Sequence, residues 1–174
     1  LYNISGVALQ EQGKLDQSID AFTKAISTKP DYADAHYNMG IALQEQDKLE
    51  EAIEAYNKVI SIKPDYVDAH NNMGNALKSR DKLEEAIQSY NKVISIKPDY
   101  ADAYNNMGVA LQEQGKLDQA IGAFTKALSI KPDYAEAYNN IGNVFQKQGK
   151  LEEARETYKK AVSIKPDYPD SYWN

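Results

Sequence analysis

The sequence predicts an all-α protein, a solenoid of antiparallel helix pairs, and three observations carry that expectation. Pro30, Pro64, Pro98, Pro132 and Pro166 fall on a strict period of 34 residues. A fixed period of that size marks stacked units that bury their apolar faces only against neighbours. Within each period, apolar residues recur at helical spacing in two separate runs. The motif KPDYADAYNNMG at 97–108 also returns as KPDYADAHYNMG at 29, KPDYVDAHNNMG at 63 and KPDYAEAYNNIG at 131.

Residues 31–64 serve as the type unit. Ala35, Met39, Ala42 and Leu43 form one face of a first helix, and Leu49, Ala52, Ile53, Tyr56, Val59 and Ile60 form one face of a second. Lys63-Pro64 ends the pair, because proline lacks a donor and disfavours helix in the residue before it. The carboxylates at the helix starts read as caps: Asp31 with Asp34 for the first helix, Asp47 with Glu50 for the second. Capping accounts for these acids better than a catalytic role does. Gly13, Gly115 and Gly149 take the place of Asp47 elsewhere and keep the backbone bend available.

A single array over 1–174 results, with an incomplete first repeat at 1–32 and full repeats at 33–66, 67–100, 101–134 and 135–168. Residues 169–174 begin a sixth. About eleven helical segments are expected, and the ragged ends read as a segment cut from a longer protein. Head-to-tail self-association through uncapped ends is a further expectation, with Ile141, Leu151 and Val162 near the open face.

Composition narrows the partners. The net charge is −6 and the pI about 5.0, so no global field draws nucleic acid or an anionic membrane. No apolar run approaches a membrane span, and there is no cysteine for disulfides or thiolate chemistry. A cytoplasmic location is expected.

The motif positions resemble the tetratricopeptide repeat. Gly40, Leu43, Ala52, Tyr56 and Pro64 match its signature, as do Gly74, Leu77, Ala86, Tyr90 and Pro98. Gly108, Leu111, Ala120, Phe124 and Pro132 follow, then Gly142, Phe145, Ala154, Tyr158 and Pro166. The first unit matches through Gly6, Leu9, Phe22 and Pro30 but has Ser18 where the others have alanine. The resemblance implies a right-handed superhelix whose first helices line a concave groove where partners bind. The small glycine and alanine are expected to let helices approach, with Tyr56 filling the space opposite.

Nothing in the chain reads as an active site, so no enzyme activity, metal or cofactor is expected. His36 and His70 are equivalent residues one repeat apart, too distant to share a metal, and tyrosine replaces them elsewhere; both read as packing residues. Gly122 sits inside a helix without explanation. Asn3-Ile4-Ser5 matches a glycosylation acceptor by pattern alone.

The candidate site is the outward stripe of each first helix: Asp34, Tyr37, Asn38, Ile41, Gln44 and Glu45 in the type unit. Gln112 is the counterpart of Gln44. The stripe carries Asn71-Asn72, Asn105-Asn106 and Asn139-Asn140 in later units. Asparagine is a poor mid-helix residue, which suggests selection for something other than helix stability. Asn38, Asn72, Asn106 and Asn140, with Asn174 in the stub, also resemble the repeats of O-linked N-acetylglucosamine transferases, whose asparagine ladder holds an extended peptide backbone. Recent duplication of the units is the competing explanation. A basic clamp for acidic termini fits poorly, since Asp34, Asp68, Asp102 and Glu136 line this face.

The expected function is a protein–protein interaction scaffold binding an extended peptide. The alternatives are a targeting arm cut from a glycosyl-, sulfo- or methyltransferase, or a self-assembling array.

Overall fold

The computed structural model describes residues 1–166. Ten α-helices follow one another: α1 (Tyr2–Glu11), α2 (Leu15–Thr28), α3 (Ala33–Glu45), α4 (Leu49–Ile62) and α5 (Val67–Ser79). The remainder are α6 (Leu83–Ile96), α7 (Ala101–Glu113), α8 (Leu117–Ile130), α9 (Ala135–Lys147) and α10 (Leu151–Ile164). No strand occurs among the described residues. The eleventh segment expected at 169–174, together with Asn174, lies outside them.

The chain divides into two compact units, one of residues Leu1–Lys92 and one beginning at Val93. In the first, each helix from α1 to α5 packs on the next, and the first helices α1, α3 and α5 also touch in succession. In the second, α7 to α10 repeat that arrangement, and α7 touches α9.

Both cores rest on a glycine facing an aromatic ring. Phe22, Tyr56, Tyr90 and Phe124 are completely buried and Tyr158 nearly so. A Cβ on Gly40 would lie 2.6 Å from the Tyr56 ring, and one on Gly142 would lie 2.5 Å from the Tyr158 ring. The aromatic ring of the second helix therefore lies directly against the backbone of the first, at the small residue of the pattern. Ser18, the departure from alanine, is buried and donates its hydroxyl to the Gly6 carbonyl at 2.9 Å.

The loop between successive repeats is a β-turn with proline at its second position. The amide of Tyr32 donates to the Lys29 carbonyl at 3.1 Å, and Tyr66, Tyr100 and Tyr134 repeat the bond to Lys63, Lys97 and Lys131. Steric pressure from the proline holds the preceding lysine in extended geometry, as at Lys63 (φ −131°, ψ 88°). The lysine ammonium then lies over the tyrosine ring of its own turn, 4.5 Å from the centroid for Lys131 and Tyr134.

The capping assignments are overturned. Asp31 sits at the third turn position, so the N-cap of α3 is Tyr32, without a side-chain cap bond. Asp47 does not start α4, whose N-cap is Lys48. Instead Asp47 closes α3 in a left-handed conformation (φ 59°). Lys48 N–H reaches the Leu43 carbonyl at 2.9 Å and Asp47 N–H reaches Gln44 at 3.0 Å, the paired bonds of a Schellman motif. Gly13, Gly115 and Gly149 occupy the same position with φ between 72° and 77°. The shared requirement is positive φ, which glycine meets freely and aspartate tolerates.

Gly122 answers to no such requirement. It is exposed within α8, and a Cβ there meets nothing within 4 Å. Gly122→Ala is expected to stabilise the second unit by about 0.5–1 kcal/mol, read as a higher urea midpoint. A lower midpoint would show that the glycine serves packing after all.

Candidate functional site

On the first unit the asparagines of successive first helices are tied together. Asn38 Nδ2 donates to Asn3 Oδ1 at 3.1 Å, and Asn72 Nδ2 donates to the Tyr37 hydroxyl at 3.1 Å. On the second unit Asn140 Nδ2 donates to Asn105 Oδ1 at 3.0 Å, while Asn105 Nδ2 reaches Glu136 Oε1 at 3.1 Å. Each bond links one repeat to the repeat before it. Asn38, Asn72, Asn106 and Asn140 are all half-buried.

The first asparagine of each pair is not on the solvent face, contrary to the sequence reading. Asn105 is fully buried, and Asn71 and Asn139 are buried beside their helices. Helix geometry places neighbours 100° apart, so only one of two consecutive residues can face outward. Buried Asn105 bonds the following repeat through both ends of its amide, and the second member of each pair shows its edge. Asn139 keeps a buried Oδ1 with no partner among the described residues.

Tyr37 and Gln44 are also structural. The Tyr37 ring packs 6.1 Å from the Tyr56 ring and 5.1 Å from the Tyr66 ring, centroid to centroid. Gln44 Oε1 accepts the Tyr56 hydroxyl at 3.0 Å. Burial pushes the Tyr56 phenol well above its ordinary range; Tyr37 and Glu45 add to this and a hydrogen bond from Asn72 opposes it. It is therefore a neutral donor at pH 7. Gln112 is half-buried and faces no such hydroxyl, since Phe124 stands where Tyr56 does.

Two residues in this network escaped the sequence reading. Asn75 Oδ1 accepts the Tyr90 hydroxyl at 2.8 Å, and Asn143 Oδ1 accepts the Tyr158 hydroxyl at 2.7 Å. The signal was available: Val7 and Val109 occupy this site in the units that carry Phe22 and Phe124. A buried phenol needs an acceptor: Tyr90 and Tyr158 find it at this site, whereas Tyr56, with Ile41 there, finds it at Gln44.

The remaining candidates are architectural. His36 and His70 are buried, and each lies within 2.9 Å of a proline carbonyl, Pro30 and Pro64. A carbonyl only accepts, so Nε2 carries the proton in both. Asp34 pairs with Lys63 at 3.2 Å, with both side chains about half exposed, a bond worth about 0–1 kcal/mol. Asn3 lies inside α1, its Nδ2 3.4 Å from the Tyr32 hydroxyl. Ile141 is buried, while Leu151 stays exposed and Val162 is half-buried. Among the described residues no cluster of acids and histidines is placed to hold a metal, and no helix is long and apolar enough to cross a membrane.

The family pattern described as TPR repeat matches residues 6–47, 42–79 and 74–115, and that described as Tetratricopeptide repeat matches residues 99–167. A search of curated proteins finds no match. Solved structures share the architecture. A crystal structure of MamA is 28% identical, with a TM-score of 0.86 over 92% of this chain and 94% of that one. MamA 41-end from Desulfovibrio magneticus RS-1 is 20% identical, with a TM-score of 0.88 over 97% and 95%. YrrB, described as a TPR protein with an unusual peptide-binding site, is 22% identical, with a TM-score of 0.80 over 98% and 88%. The helix pairs, the glycine–aromatic contacts and these matches agree: the chain belongs to the tetratricopeptide repeat family.

Proposed function

We propose that the chain is a protein–protein interaction scaffold that holds an extended peptide backbone on the first helices of its repeats. The observation that carries this reading is the half-engaged amide. Asn38, Asn72 and Asn140 each use Nδ2 to bond the preceding repeat, which fixes the rotamer, while Oδ1 accepts no hydrogen bond among the described residues. An acceptor already locked in place loses little entropy when it binds. Neighbouring helices stand about 8–10 Å apart, roughly the length of three extended residues. One backbone N–H in three could therefore meet an asparagine, with little regard to peptide side chains. The ladder of O-linked N-acetylglucosamine transferase repeats, which the motif resembles, uses the same position.

The test is a peptide selected from a displayed random library, titrated calorimetrically against the chain and against Asn38→Ala/Asn72→Ala/Asn140→Ala. Each lost bond should cost about 0.5–1.5 kcal/mol, so affinity should fall at least about tenfold. Stability should change by less than about 1 kcal/mol per site, because alanine's helix preference offsets the lost rung. Unchanged affinity with a lower melting temperature would make the rungs purely architectural and end the proposal.

A further inference from the structure

An open cleft of about 370 Å³ lies on the first unit, between α2 and α4 and over α3. Its volume falls within the usual range of ligand sites, about 300–1,000 Å³. Met39, Leu43 and Ala55 supply an apolar floor. The α4 wall is polarised: Glu51 and Glu54 stand toward its start and Lys58 one to two turns further on. All three are exposed. Among the described residues none of them enters an ion pair or a side-chain hydrogen bond, although other acids and lysines of the chain do. At the corresponding positions in the second unit, α9 has the larger Tyr138 and Phe145 where α3 has His36 and Leu43.

We propose that this cleft is a second docking site, taking an extended segment of a partner protein with a basic and an acidic residue three positions apart. An apolar side chain between them lies on the floor. Charge complementarity sets the ends, because Glu51 and Glu54 attract a cation at one end and Lys58 an anion at the other. The spacing follows from helix geometry. Glu51 to Lys58 spans about 10 Å along α4 at ~1.5 Å per residue, which equals about three residues of extended chain at ~3.3 Å each. The side chain of Met39 adapts to different apolar groups. This site uses the second-helix side of the array and does not depend on the asparagine rungs.

The test is methyl NMR of the whole chain titrated with the peptide acetyl-Lys-Leu-Val-Glu-amide. The control peptide is acetyl-Gln-Leu-Val-Gln-amide, and the variant is Glu51→Gln/Glu54→Gln, checked for an unchanged melt. Saturable shifts at the Met39 and Ala55 methyls are expected. They should weaken about threefold or more with the neutral peptide, which loses both surface ion pairs, and about twofold with the variant, which loses only the pair at the cation end. Equal shifts from both peptides, no saturable shift, or shifts confined to the asparagine face would overturn the proposal. The asparagine triple variant should bind this peptide unchanged, which separates its failure from that of the first site.

Discussion

Tyr56→Ala is expected to destabilise the first unit by about 3–5 kcal/mol, the cost of deleting a fully buried aromatic side chain. The ring fills the gap left by Gly40, and Tyr37 packs against it 6.1 Å away. Removing it opens a cavity, because the ring itself fills the space against the Gly40 backbone. In a linear array each repeat is held by its neighbours, so the loss should spread and broaden the urea transition. Tyr56→Phe is the control: it keeps the ring and removes the hydroxyl with its bonds to Gln44 and Asn72, at about 0.5–1.5 kcal/mol each. Phe22 and Phe124 are buried at the equivalent sites, so the ring alone packs adequately. A loss below about 1 kcal/mol for the alanine variant would contradict this account of the core.

Gly40→Ala should destabilise the same unit by about 1–3 kcal/mol through overpacking. The added methyl would sit 2.6 Å from a ring atom, and Tyr56 has no room to retreat. Alanine's helix advantage of about 1 kcal/mol opposes the clash without cancelling it. The same substitution at Gly122 has the opposite sign, since nothing lies within 4 Å there. Pairing Gly40→Ala with Tyr56→Leu should cost less than the sum of the two changes, because the smaller side chain vacates the contested space. Thermal melts of the four proteins check this; strict additivity would show that the contact does not set the helix spacing.

Local signals were legible where one residue dictates its own backbone. Proline at a period of 34 residues marked each loop, and the extended geometry of Lys29, Lys63, Lys131 and Lys165 follows from the ring that comes next. The helical runs and the pairing of Gly40 with Tyr56 were likewise readable. The caps were misread because aspartate serves two purposes. Asp47 looks like an N-cap by composition, yet its carboxylate caps nothing and its left-handed backbone closes the helix before it. Sequence spacing cannot tell these apart, since both put an acid between two helices.

What the sequence by itself determined is the unit: two amphipathic helices, their turns, and the small-to-large contact that joins them. Each depends on residues close in the chain or related by a fixed period. Which asparagine faces outward was decided only by tertiary structure. In Asn105-Asn106 and Asn139-Asn140 both residues have the same chemistry, and the stripe seemed to hold both. Packing buries Asn105 and Asn139 and leaves Asn106 and Asn140 half-exposed. The bond from Asn140 to Asn105 spans two repeats, so neither local propensity nor amphipathic pattern encodes it. Its physical origin is the demand that a buried amide find a partner, and only the stacked neighbour supplies one.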